Sequence, residues 1–174
     1  AGTPPAPGNA FGMATTQNSI FIFGGQQVLF SNDLHRYDVA TRSWEDLSVP
    51  VSGNTPDPRS GLAMAAYGDS LFVMGGYVGG GDWDCDSLDD DLYEYIISER
   101  RWRFLPAARA ITRRKLHTMV CIDGYLYVFG GADTSPSFPP MSLDNTLHRF
   151  KVSEPREYQW HRLDWEMNSG ARPP

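Results

Sequence analysis

The chain has 174 residues and a formal net charge of −6, which excludes a bulk nucleic-acid binder, since that needs positive charge to displace counterions. A hydrophobic share of 41% with 21% charged residues is the profile of a folded globular chain rather than a disordered one. No window reaches the roughly 18 apolar residues of a membrane-spanning helix, so no membrane partner is expected.

Ala1 to Gly8 lack the basic-then-apolar pattern of a signal peptide, and there is no initiator Met. The expectation is a chain processed or cut from something longer. Two apolar segments then flank Gln17-Asn18, and the second, Ile20-Phe21-Ile22-Phe23, ends in Gly24-Gly25. An apolar run of that length closed by glycines predicts a strand. Next comes Leu34-His35-Arg36-Tyr37, where His35, Tyr37 and Val39 share one face of a further strand. A turn over Asp38 to Ser43 leads to Trp44, and Leu47 follows three residues later.

The same order returns twice. Leu71-Phe72-Val73-Met74 ends in Gly75-Gly76, and Leu126-Tyr127-Val128-Phe129 ends in Gly130-Gly131. Tyr95 precedes Trp102, and Phe150 precedes Trp160; Leu105 and Leu163 hold the place of Leu47. The tryptophans are spaced by 58 residues each time, the glycine pairs by 51 and 55, the difference lying in the loops. Gly68-Asp69 and Asp123-Gly124 between apolar segments predict tight hairpins like that at Gln17-Asn18. Each repeat therefore holds four short strands and no helix. Repeat one covers about 8–57, repeat two about 58–112, repeat three about 113–169, and 170–174 begins a further one.

These landmarks resemble the kelch family. Arg59-Ser60-Gly61-Leu62, Gly75-Gly76, Tyr95 and Trp102 follow its pattern in repeat two, as do Gly24-Gly25, Tyr37-Asp38, Thr41 and Trp44 in repeat one. Repeat one departs by carrying Gly8 for the leading arginine, and repeat three by Phe150-Lys151 for Tyr-Asp and by extra residues at 154–158. The resemblance implies an all-β fold, a kelch-type β-propeller segment of three four-stranded antiparallel blades. Asn32-Asp33-Leu34 and Asn145-Thr146-Leu147 resemble the host-cell-factor or leucine-zipper-like kelch group more than the ubiquitin-ligase adaptors. A propeller closes with about four to eight blades. The remaining blades are expected either from the parent chain or from a second copy of this one.

Cofactor and catalytic signatures are weak. Asp82, Asp84 and Asp86 alternate as in a calcium loop, but its sixth position is Ser87 instead of Gly and its twelfth is Tyr93 instead of Glu. The reading is a solvated acidic loop with no metal. The histidines show no ligand spacing: His35, Tyr93 and His148 share one register, and His117 falls in the start motif of its repeat. No Gly-x-Ser-x-Gly elbow and no phosphate loop appears. Hence no cofactor and no catalytic residue are expected, and the protein is read as not an enzyme. The alternative is an oxidase, lyase or sugar-processing enzyme whose site is completed by further blades.

Cys85 and Cys121 make no disulfide framework, which points to a reducing compartment, cytoplasmic or nuclear. The long connections, second strand to third and fourth strand to the next first, fall at one end of the blades. The resemblance implies that this end binds a protein partner. Candidate contact residues there are the apolar Phe30, Trp83, Phe138 and Met141, with Asp84, Asp86, Asp90, Arg109, Arg113 and Arg114 as charged neighbours. Pairing between the acidic and basic blocks within the chain is the competing reading.

Overall fold

A computed structural model describes residues 2–48, 52–79, 87–106, 111–133, 142–153 and 159–163. All regular structure among them is strand; no helix long and apolar enough to cross a membrane occurs there. Blade 1 is β1 (Gly12–Thr15), β2 (Ser19–Phe23), β3 (Leu34–Asp38) and β4 (Ser43–Asp46), in sequential antiparallel order.

Blade 2 has the same plan with two additions. β5 (Ser52–Gly53) and β6 (Arg59–Ser60) precede β7 (Ala63–Tyr67), β8 (Ser70–Val78), β9 (Ser87–Ile96) and β10 (Arg101–Leu105). β6 extends the β8 ladder, while β5 lies parallel to β10, pairing Gly53 with Trp102. The segment that enters a blade therefore also contributes a short outer strand to it, which sequence alternation over two residues cannot signal.

Blade 3 is β11 (Thr118–Ile122), β12 (Tyr125–Phe129), β15 (Leu147–Lys151) and β16 (Trp160–Arg162). A small ribbon, β13 (Ala132–Asp133) with β14 (Ser142–Leu143), rises from its long connection.

Turn chemistry sets the registers. In the β11–β12 hairpin, Asp123 and Gly124 both take positive φ, 49° and 74°. That is the twist a two-residue hairpin requires, and it fixes Ile122 opposite Tyr125. In the β3–β4 turn, Asp38 accepts from both the Thr41 amide and hydroxyl at 2.8 and 2.9 Å, which holds its carboxyl below the usual range. Arg42 and Arg100 close the β3–β4 and β9–β10 turns at φ near 50°.

The cores lie between blades rather than within them. Phe21, Phe23, Leu34 and Leu47 of blade 1 pack against Leu62, Met64, Tyr95 and Trp102 of blade 2. Phe72, Met74, Leu92 and Leu105 of blade 2 pack in turn against Met119, Leu126, Phe150 and Trp160 of blade 3. One aromatic pair recurs per blade: Tyr37–Trp44 at 5.0 Å, Tyr95–Trp102 at 5.0 Å and Phe150–Trp160 at 5.1 Å between centroids. Phe150 thus takes over the ring of the missing tyrosine in repeat three.

The glycine pairs are where the next blade keys in. At Gly24, with φ of 68°, an added Cβ would lie 2.9 Å from Leu62 Cδ2. At Gly75, with φ of 64°, it would lie 2.9 Å from His117 Cε1 and 2.8 Å from the Arg114 carbonyl oxygen. No side chain fits either place, and the backbone angle is one that L-residues resist.

Candidate partner-binding face

The described parts of the first two long connections meet the segments that lead into blades 2 and 3. Asn32 Nδ2 donates to the Pro56 carbonyl at 3.1 Å, and the Arg59 and Arg114 amides donate to the Ser31 and Asp89 carbonyls at 3.0 and 3.3 Å. The loops of blades 1 and 2 are thereby seamed to the segments that enter blades 2 and 3. Ala10, Gly61 and Leu116 hold equivalent places, with φ of 53°, 68° and 57°. Gly61 N donates to Ala10 O at 2.8 Å, and Leu116 N to Gly61 O at 2.7 Å, forming a ladder across the three blades.

Behind this rim sits a charged clamp in two of the blades. Arg59 Nη1 donates to the Gly75 carbonyl at 3.1 Å and to Asp89 Oδ2 at 3.0 Å. Its guanidinium also stacks over Tyr93, 5.0 Å from the ring centroid. Arg114 repeats the scheme, donating to the Gly130 carbonyl at 2.8 Å and to Asp144 Oδ2 at 2.8 Å. In both clamps the other carboxylate oxygen accepts from the turn that begins the third strand: Asp89 from the amides of Asp90 and Asp91, Asp144 from that of Thr146.

Burial would raise the Asp144 carboxyl, but hydrogen bonds from Thr146 and the Arg114 charge outweigh it and hold the group below its ordinary range. Burial lowers the Arg114 guanidinium despite Asp144. A buried pair of this kind fixes geometry; losing one member would strand the other charge.

Arg114 is therefore corrected: placed by the sequence among surface steering charges, it is buried and fully engaged. Its dense basic neighbourhood hid this, although its spacing to Gly130 equals that of Arg59 to Gly75. Arg113 is exposed, with Nε 3.7 Å from Asp90 Oδ1, so there the acidic and basic blocks do pair within the chain. Phe30 is half-buried against the Gln26 bridge. Trp83, Asp84, Asp86, Arg109, Phe138 and Met141, and also Cys85, lie outside the described residues.

The residues that sequence reasoning missed are aliphatic. Val28 is 93% exposed, Leu29 58%, Leu116 66% and Leu143 73%, all at the loop end. The signal was present in the Val28-Leu29 step of a polar loop, yet Phe30 drew attention by its size.

Asp89, Asp90 and Asp91 bring carboxylate oxygens within 4.8 Å of one another. Asp89 is committed to Arg59 and to two amides, so this turn is explained without an ion. Burial, followed by the charges of Asp89 and Asp90, raises the Asp91 carboxyl. His117 is buried between two glycine pairs, and desolvation together with the nearby Arg114 charge lowers its pKa to about 3. Burial raises the Cys121 thiol, so it is not activated as a nucleophile.

The glycine pair and the aromatic pair of each blade stand at the landmarks of the kelch pattern. Residues 1–76 match the KLHDC2/KLHL20/DRC7 Kelch-repeats domain and residues 58–108 the Kelch motif. The chain belongs to the kelch-repeat family. It is 36% identical, over 93% of its length, to the N-(sulfonatooxy)prop-2-enimidothioate sulfolyase of Thlaspi arvense, covering 45% of that protein. It is 27% identical over 97% of its length to the leucine-zipper-like transcriptional regulator 1 homolog of Drosophila melanogaster, covering 22% of it. It is also 27% identical over 90% of its length to Kelch domain-containing protein 3 of Bos taurus, covering 41%. The kelch chain thus spans less than half of each of these relatives.

Proposed function

We propose that this kelch segment is a scaffold that binds a protein partner through its long-loop end. The observation that carries the reading is the set of exposed aliphatic side chains there, Val28, Leu29, Leu116 and Leu143. Exposed charges steer encounter and contribute little net affinity, whereas desolvated apolar anchors dominate it. Trp83 and Phe138 are proposed as further anchors, with Asp84, Asp86 and Asp90 steering. The two cysteines suit a reducing compartment, cytoplasmic or nuclear.

The test uses a purified partner and measured rates. Val28→Asp with Leu29→Asp, and separately Trp83→Ala, should speed dissociation about tenfold or more with the fold intact. Asn at Asp84, Asp86 and Asp90 should instead slow association and flatten its salt dependence. Unchanged dissociation in both the loop variant and Trp83→Ala would sink the reading.

A second reading rests on the 36% identity to a sulfolyase: that a propeller containing these blades catalyses an elimination. Incubating a propeller that contains these blades with the sulfated substrate named for that relative, and measuring sulfate release over a heat-denatured control, tests it.

A further inference from the structure

Blade 1 lacks the clamp that blades 2 and 3 share, and it lacks both halves of it. Arg59 and Arg114 reach the carbonyl of the glycine 16 residues ahead; the residue 16 before Gly24 is Gly8. The carboxylates that hold them, Asp89 and Asp144, stand three residues before Leu92 and Leu147. The corresponding residue before Leu34 is Ser31. Ser31 keeps the local duty of the aspartates, its hydroxyl accepting from the Asp33 amide at 2.9 Å. What has gone is the ion pair alone.

The space it would fill is open. A cavity in blade 1 is lined by Gly8, Gly24, Ser31, Asp33 and His35, with Phe11 at its side. Two of its walls have direct counterparts in the filled clamps. Gly24 matches the glycines whose carbonyls accept from arginine, and His35 stands in the register of Tyr93, over which Arg59 stacks. The exposed carboxylate of Asp33 supplies a negative charge in place of the lost aspartate. Buried His35 Nδ1 has no hydrogen-bond partner among the described residues. A guanidinium suits these walls: planar, able to stack on the imidazole, and able to donate to a carbonyl and a carboxylate together. An ammonium lacks the planar fork that reaches a carbonyl and a carboxylate together, and a neutral side chain would forgo the charge.

We propose that this cavity is a receptor for the guanidinium of an arginine side chain carried by a protein partner, which restores from outside the clamp that blades 2 and 3 build internally. The partner as source rests on the interaction reading above, while the chemistry of the cavity stands without it.

The experiment titrates the isotope-labelled 174-residue chain with Nα-acetyl-arginine amide and follows backbone amide shifts. Saturable shifts at Gly24, Ser31, Asp33 and His35 are expected, with a dissociation constant on the order of 1 mM or tighter. The matching citrulline amide, which has the shape without the charge, should bind about tenfold more weakly, as should arginine amide to Asp33→Asn. Equal binding of the citrulline amide, or an unchanged constant in Asp33→Asn, would overturn the proposal. Free arginine binding tenfold tighter than its blocked amide would overturn the partner as its source. None of these outcomes bears on the Val28, Leu29 and Trp83 variants, so this proposal and the scaffold reading fail separately.

Discussion

At the residue scale, small differences between equivalent positions do the most work. Gly75 and Gly130 share a left-handed backbone, with φ of 64° and 68°, but among the described residues an added Cβ at Gly130 meets only the Asp144 carbonyl at 3.3 Å. Both alanine variants should suffer the backbone penalty of about 1–2 kcal/mol. Gly75→Ala should lose about 1–3 kcal/mol more, because it overpacks against His117; urea denaturation of the two variants measures the difference. His117 also carries a pH dependence. Its pKa is about 3 when folded and about 6.5 when unfolded, so below pH 6.5 the unfolded chain takes up the proton and the folded one does not. Stability should therefore fall as pH drops from 6.5 toward 3, by up to about 1.4 kcal/mol per pH unit from this group. His117→Leu, which copies Leu62 of the blade before, should flatten that slope between pH 6.5 and 5, where few carboxylates titrate. A slope unchanged in the variant would remove His117 as its cause.

At the scale of elements, the same strand has a different worth in different blades. Trp102 on β10 is 2% exposed and touches both Phe23 of blade 1 and Tyr95 of its own blade at 5.0 Å. Trp44 on β4 has its tyrosine but no described neighbouring blade, and it stays half-buried. In this chain Trp102→Ala should cost about 3–5 kcal/mol, and Trp44→Ala roughly half as much or less. Thermal melts of the two variants test the ranking. Equal losses would mean that the tryptophans act within blades and not between them.

At the scale of the molecule, three blades leave two faces uncovered. On blade 1, Phe11 and Met13 are 43% and 57% exposed; on blade 3, Val120, Ile122 and Phe129 are each more than half exposed. The two faces carry opposite halves of the contact that joins neighbouring blades. Phe11 occupies the place from which Leu62 and His117 enter a neighbour's glycine, and Gly130 is a glycine that no described side chain has entered. Apolar faces of this kind associate. Light scattering should show the 174-residue chain growing in mass with concentration, and Val120→Lys with Ile122→Lys should suppress the growth. A concentration-independent 19 kDa species for the parent sequence would contradict it.

Period and punctuation alone determined the all-β class, the three repeats, the hairpins at Gly68-Asp69 and Asp123-Gly124, and the aromatic pair of each blade. These are legible because strand alternation and turn chemistry are local, and because a motif seen three times reports its own spacing. The tertiary structure decided what depends on facing another element. It buried Arg114 by pairing it with Asp144, 30 residues away, whereas the chain around it reads as a surface block of charge. It left Val28 and Leu29 in solvent, and it opened a cavity where Gly8 and Ser31 coincide. A sequence shows that two residues are unusual; only the fold shows that both are missing from one place.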